Sequence, residues 1–116
     1  MPHCIVEFSN TLRAHLEPNE LMDKVTQGAA ESGLFELKDI KTRAMGFDYF
    51  QSAGQSENAN FIHVEIKLLA GRELSQRQHL SASVLDSLLK LNLNHISISV
   101  EINDLDTPCY AKKVID

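Results

Sequence analysis

Residues 61–78 read FIHVEIKLLAGRELSQRQ. Ile62, Val64, Ile66 and Leu68 alternate with Phe61, His63, Glu65 and Lys67. That period of two belongs to a strand with two distinct faces. Ala70-Gly71 breaks it. Leu74, Leu80, Val84, Leu85, Leu88, Leu89 and Leu91 then form the apolar side of a long helix predicted over residues 74–93, with Ser75 a further candidate to cap its start. Ile96, Ile98, Val100 and Ile102 alternate with Ser97, Ser99 and Glu101, which gives another strand. Strand, helix and strand in this order make a β-α-β unit, with parallel strands and a right-handed crossover.

The same order occurs upstream. In residues 3–9, Cys4, Val6 and Phe8 alternate with His3, Ile5 and Glu7. Pro18-Asn19-Glu20 opens a helix, Leu21, Met22, Val25 and Ala29 recur at helical spacing, and Gly33 is placed to cap its end. A second extended region lies around residues 39–45. QSAGQSENAN, residues 51–60, is a polar loop between two halves. An offset of 58 lays IVEF (5–8) on HVEI (63–66), Met22 on Leu80, Ile40 on Ile98 and Thr42 on Val100. The expectation is a single α/β (α+β) domain over 1–116, with pseudo-repeat halves of about 1–58 and 59–116. Its duplicated β-α-β units would form a four-stranded mixed sheet with two helices on one face. The other face carries His3, Ile5, Glu7, Phe61, His63, Glu65 and Lys67, with no helix left to cover it. Its apolar members favour a subunit interface, with Glu65 or Glu7 paired to Lys67. DLDTPCYAKKVID (104–116) would trail as a loop or short terminal element.

The 116 residues carry a formal net charge of −5. No basic run could neutralise several phosphates, which argues against a nucleic-acid partner. Lys112-Lys113 is only a pair, read as part of a solvated tail. No apolar stretch has membrane-spanning length, and His3 and Glu7 interrupt any signal-peptide pattern, so a cytoplasmic location is expected. Cys4 and Cys109 lie far apart and are expected as reduced, structural thiols. His3, His15, His63, His79 and His95 are scattered, and nothing points to a metal site.

Three features carry chemistry. In AGRELSQRQ (70–78) a strand ends, a glycine turns the chain, and Arg72 stands at the mouth of a helix. A guanidinium beside helix N-terminal amides suits a carboxylate, although the motif taken alone favours a solvated surface arginine. Lys41 and Arg43 share the strand face turned away from the helices, where they are solvated, paired with acids or aimed at an anion. Pro2 heads the first strand. Proline is tolerated there because it lacks the N–H a ladder would use. With Met1 removed, Pro2 would instead be a free secondary amine, and an α-amino group titrates near about 7.7–8.0. With Met1 retained, its nitrogen is a tertiary amide without basicity.

Pro2 at the head of a strand, the β-α-β unit, and a Gly-Arg opening a helix with Gln-Arg just beyond resemble the tautomerase superfamily. The duplicated length, PHCIVEFS and FIHVEIKLLAGRELSQRQ resemble more specifically the 5-carboxymethyl-2-hydroxymuconate delta-isomerase family, from Pro2 to about Glu101. The resemblance implies a homotrimer, loss of Met1 and Pro2 as catalytic base. It implies that Arg72 and a second cation, Lys41 or Arg43, bind carboxylates and polarise a carbonyl. An active-site aromatic is also implied, with Phe47, Tyr49 and Phe50 as candidates. The substrate would be a small anionic 2-hydroxymuconate-type dienol of aromatic (homoprotocatechuate) catabolism, converted without cofactor or metal. Alternatives are another tautomerase-superfamily activity (keto–enol tautomerase, hydratase or dehalogenase) and a non-catalytic oligomeric binding module.

Overall fold

A computed structural model of the chain describes residues 1–54 and 59–116. Four strands, β1 (His3–Ser9), β2 (Lys41–Phe47), β3 (Asn60–Leu68) and β4 (Ile96–Asp104), form one sheet in the order β2-β1-β3-β4. β1 runs parallel to β2, β3 runs parallel to β4, and the central pair β1–β3 is antiparallel. Helix α1 (Pro18–Glu31) joins β1 to β2, and α2 (Leu74–Leu89) joins β3 to β4. This is the mixed sheet of two β-α-β units expected from the sequence.

Alternation decides the layers. Cys4, Val6, Phe8, Ile62, Val64, Ile66 and Leu68 are buried on one face, against Leu21, Val25 and Ala29 of α1 and Leu80, Val84 and Leu88 of α2. Burying each large aliphatic side chain is worth roughly 1.5–3 kcal/mol. The helices approach closely where α1 offers Gly28: Ser83 Oγ donates to the Gly28 carbonyl at 2.7 Å, and Ser87 Oγ donates to the Lys24 carbonyl at 2.6 Å.

Val6 faces Val64 in the antiparallel central pair, so the 58-residue offset relates the two halves about that point. The outer strands match differently. Thr42 lies opposite Cys4 and Ile98 opposite Ile62, so Thr42 corresponds to Ile98 rather than Val100, two residues short of the sequence offset.

Local ends also shift. Gly33 takes φ +79° just past α1, as a glycine cap should. A 3-10 turn at Leu37–Asp39 delays β2 to Lys41. Helix α2 stops at Leu89 rather than near 93, because Leu91 N and Asn92 N close a final turn and Asn92 takes φ +53°. Its start is capped by Glu73, whose N–H donates to Gln76 Oε1 at 2.8 Å, and not by Ser75. Of the loop expected over 51–60, residues 55–58 lie outside the described residues, and Asn60 already begins β3.

On the uncovered face His3, Ile5, Glu7, Phe61, His63, Glu65 and Lys67 are half-buried. They are laced within the chain: His63 meets Ser99 Oγ at 2.6 Å and Glu101 Oε2 at 2.5 Å, and Asn103 Nδ2 donates to Glu65 at 2.8 Å and Glu101 at 2.6 Å. The Asn103 and His63 contacts hold the Glu101 carboxyl below its ordinary pKa. Lys67 lies 3.9 Å from Glu65 of its own chain. Among the described residues, no helix is long and apolar enough to cross a membrane.

Candidate active site

The N-terminus lies at the end of the central strands where β1 begins and β3 finishes. Pro2 is fully buried there, and its carbonyl accepts the Lys41 N–H at 3.1 Å. Met1 lies over it, half-buried, with its amine donating to the Asp39 carbonyl at 3.1 Å. Beside Met1 opens a cavity of about 400 Å³, lined among others by Phe35, Asp39, Leu68, Arg72, Tyr110 and Lys112.

Arg72 reaches this cavity because β3 ends at Leu68, Gly71 turns the chain at φ +117°, and Glu73 starts α2. Its Nη2 donates to the Leu34 carbonyl at 3.1 Å, and its guanidinium carbon lies 5.8 Å from the centre of the Phe35 ring. The arginine is therefore braced rather than loose in solvent. Stacking on an aromatic face favours a guanidinium over an ammonium.

Arg72, Lys112 and the Met1 amine share the cavity wall with Glu36 and Asp39. Burial, then Lys112, then Lys41 lower the pKa of the Met1 amine from its ordinary 8.0, against an opposing pull from Asp39. Partial burial and two like charges both disfavour the protonated amine. Behind it the thiol of Cys4 is pushed up to about 11, chiefly by burial.

The sequence candidates separate here. Arg72 and the N-terminus meet in one cavity. Lys41 is tied to the N-terminus outside the cavity wall, with Nζ donating at 3.3 Å to the same Asp39 carbonyl that receives the Met1 amine. Arg43 shares the face of Lys41 but turns to His3, with Nη1 3.2 Å from Nδ1; neither Arg43 nor Lys41 lines the cavity itself. His3 is thereby lowered from its ordinary pKa of 6.5, by burial first and Arg43 second. Phe47 and Phe50 pack on Phe61, with ring centres 6.2 and 5.8 Å apart, away from the N-terminus, and Tyr49 is 94% exposed. The aromatics within this chain's cavity are Phe35 and Tyr110. Sequence reasoning did not single out either, and it placed Lys112 in a solvated tail. For Phe35 the available signal was its position two residues past the Gly33 cap; Tyr110 and Lys112 carried no periodic signal.

A second cavity, of about 620 Å³, opens at the opposite end of the central strands, with Thr11, His15, Asn60, Asn92 and His95 in its wall. Asn60 begins β3 as the N-terminal residues begin β1, and Asn92 follows α2 as Gly33 follows α1.

Two β-α-β units joined through an antiparallel centre, with Arg72 and the N-terminus in one cavity at the head of β1, define a tautomerase-superfamily protein. A family model for 5-carboxymethyl-2-hydroxymuconate isomerase matches residues 2–114. The chain is 32% identical over 111 residues to the 5-carboxymethyl-2-hydroxymuconate Delta-isomerase of Escherichia coli, covering 90% of this chain and 87% of that relative. It therefore belongs to the 5-carboxymethyl-2-hydroxymuconate isomerase family. Its fold is similar to a crystal structure of a 5-carboxymethyl-2-hydroxymuconate delta-isomerase, with a TM-score of 0.85 at 13% identity over 98% of this chain and 88% of that one. It is also similar to a wild-type fused 4-OT described as a symmetric trimer, with a TM-score of 0.70 at 16% identity over 89% and 85% of the two chains.

Proposed function

We propose that the chain, once Met1 is removed, isomerises a 2-hydroxymuconate-type dienol to its 2-oxo-3-ene form, with 5-carboxymethyl-2-hydroxymuconate the foremost substrate. The family is one of isomerases, and the chain is an enzyme of that class. The observation that carries the reading is the meeting of Arg72 with Met1, the neighbour of buried Pro2, in one cavity.

Removing Met1 turns the Pro2 nitrogen from a tertiary amide into a secondary amine beside the cavity that Met1 lines. That nitrogen accepts the proton of the substrate's 2-hydroxyl. The C2=C3 and C4=C5 double bonds become C2=O and C3=C4, and the same nitrogen returns a proton to C5. Atoms and electrons balance without cofactor or metal. A base with a pKa near ambient pH performs such a transfer best. The burial and cations that lower the Met1 amine would act likewise on the Pro2 amine. Arg72 holds a carboxylate in a two-pronged grip and stabilises the dienolate. Lys41 stands closer to this chemistry than Arg43, because it shares the Asp39 carbonyl with the terminal amine.

The same proposal places the chain in the cytoplasm, in aromatic-ring catabolism, as one tautomerase-like domain with no nucleic-acid or membrane partner. It assembles as a homotrimer in which the half-buried Ile5, Phe61 and His63 are covered. Support comes from the uncovered sheet face and from the trimer described for the fused 4-OT.

The test compares protein with and without Met1, each verified by intact mass, by following loss of the dienol's ultraviolet absorbance. The processed form should turn over, and the retained form should be nearly inactive. Equal activity in both would remove Pro2 as base.

A further inference from the structure

The segment after β4 is fastened across the N-terminal end of the sheet. Leu105 N donates to the Leu68 carbonyl at 2.7 Å, and Ala70 N donates to Thr107 Oγ1 at 3.0 Å. A 3-10 turn, Thr107–Cys109, then delivers Tyr110, whose hydroxyl lies 3.0 Å from His3 Nε2. These contacts run from the end of β3 to the start of β1. The backbone that leaves Tyr110 carries Lys112 into the wall of the cavity that holds Arg72, while Lys113 does not line it.

Among the described residues Lys112 makes no ion pair. Of the acids in the same wall, Glu36 pairs with Lys38 at 3.4 Å, and the Asp39 carboxylate offsets part of the positive charge at the Met1 amine. Cations gathered around a partly buried amine repel one another until an anion arrives. Resting on the function proposed above, the chemistry of that anion follows from its name. A muconate is a dicarboxylate, and the carboxymethyl group adds another carboxylate, so Arg72 and Lys41 together leave one carboxylate unmatched.

We propose that Lys112 is a carboxylate-binding residue of the N-terminal cavity, acting with Arg72 to select substrates that carry an additional carboxylate. The 105–110 segment positions it.

The test uses Met1-free protein and two readouts. Calorimetry follows binding of tricarballylate, a saturated tricarboxylate that cannot isomerise, and kinetics follow 5-carboxymethyl-2-hydroxymuconate. Lys112→Ala should weaken tricarballylate binding and raise KM by about tenfold, as loss of a charge-assisted contact does, with kcat little changed. Lys112→Arg should recover most of the loss, and Lys113→Ala should match the parent. Tricarballylate binding and KM unchanged in Lys112→Ala, or no binding by the parent, would overturn the assignment. If binding depends on Lys112 but no dienol is isomerised, the Lys112 site stands and the proposed reaction fails.

Discussion

Gly28 of α1 lies flat against Val84 of α2: a methyl group on Gly28 would fall 2.7 Å from Val84 Cα and 3.0 Å from the Ser83 carbonyl oxygen. Both neighbours are backbone atoms of a packed helix and cannot swing aside.

Gly28→Ala should therefore push the helices apart and strain the Ser83 and Ser87 hydrogen bonds to α1. Overpacking of this kind costs roughly 1–3 kcal/mol, despite the better helix propensity of alanine. Denaturant unfolding would show a lower midpoint. A midpoint at or above the parent's would mean the two helices can separate without loss.

Arg72→Ala should damage turnover far more than fold. Its hydrogen bond to the Leu34 carbonyl has a net worth of about 1 kcal/mol. Loss of a charged donor aimed at the developing dienolate should cost on the order of 3 kcal/mol in kcat/KM. Arg72→Lys should recover part, since lysine keeps the charge but not the fork or the stacking on Phe35. In the same assay Lys41→Ala should be more impaired than Arg43→Ala. The reverse order would show that the Arg43–His3 contact opens when substrate binds.

The two thiols should differ sharply in reactivity. Cys4 is fully buried, with its pKa pushed up to about 11, whereas Cys109 is exposed. The thiolate is the nucleophile, so at mildly alkaline pH iodoacetamide should modify Cys109 and leave Cys4 untouched until the protein unfolds. Peptide mass mapping reads this directly. Labelling of Cys4 at a rate close to that of Cys109 in native protein would contradict its place under the helices.

The parts legible in the sequence are those with a local period. Alternation in residues 61–68 and 3–8 fixes which side chains meet the helices, and Gly33 marks a left-handed backbone that few other residues accept. The same alternation puts Lys41 and Arg43 on one face. It does not say which of them turns toward the N-terminus, because Arg43 is drawn to His3 of the neighbouring strand. The overlong helix has a plain cause: Leu91 continues the apolar spacing, while Asn92 reverses the backbone. Least legible were Phe35, Tyr110 and Lys112. A connection and a returning terminal segment bring them to the cavity, and neither imposes a repeat on the residues along it.

The cavity at Asn60 has a chemical fate that its geometry alone would not suggest. Asn60 begins a central strand, as the N-terminal residues do, yet its nitrogen is an ordinary peptide N–H donated to the His95 carbonyl at 2.9 Å. Even Asn60→Pro would give only an amide. A basic backbone nitrogen belongs only to the first residue of a polypeptide, and joining two β-α-β units in one chain converts one such residue into a peptide link. On the reaction proposed here, covalent fusion fixes the stoichiometry at one base per chain. It also releases the second cavity from any need to keep a base, an arginine or a particular lining.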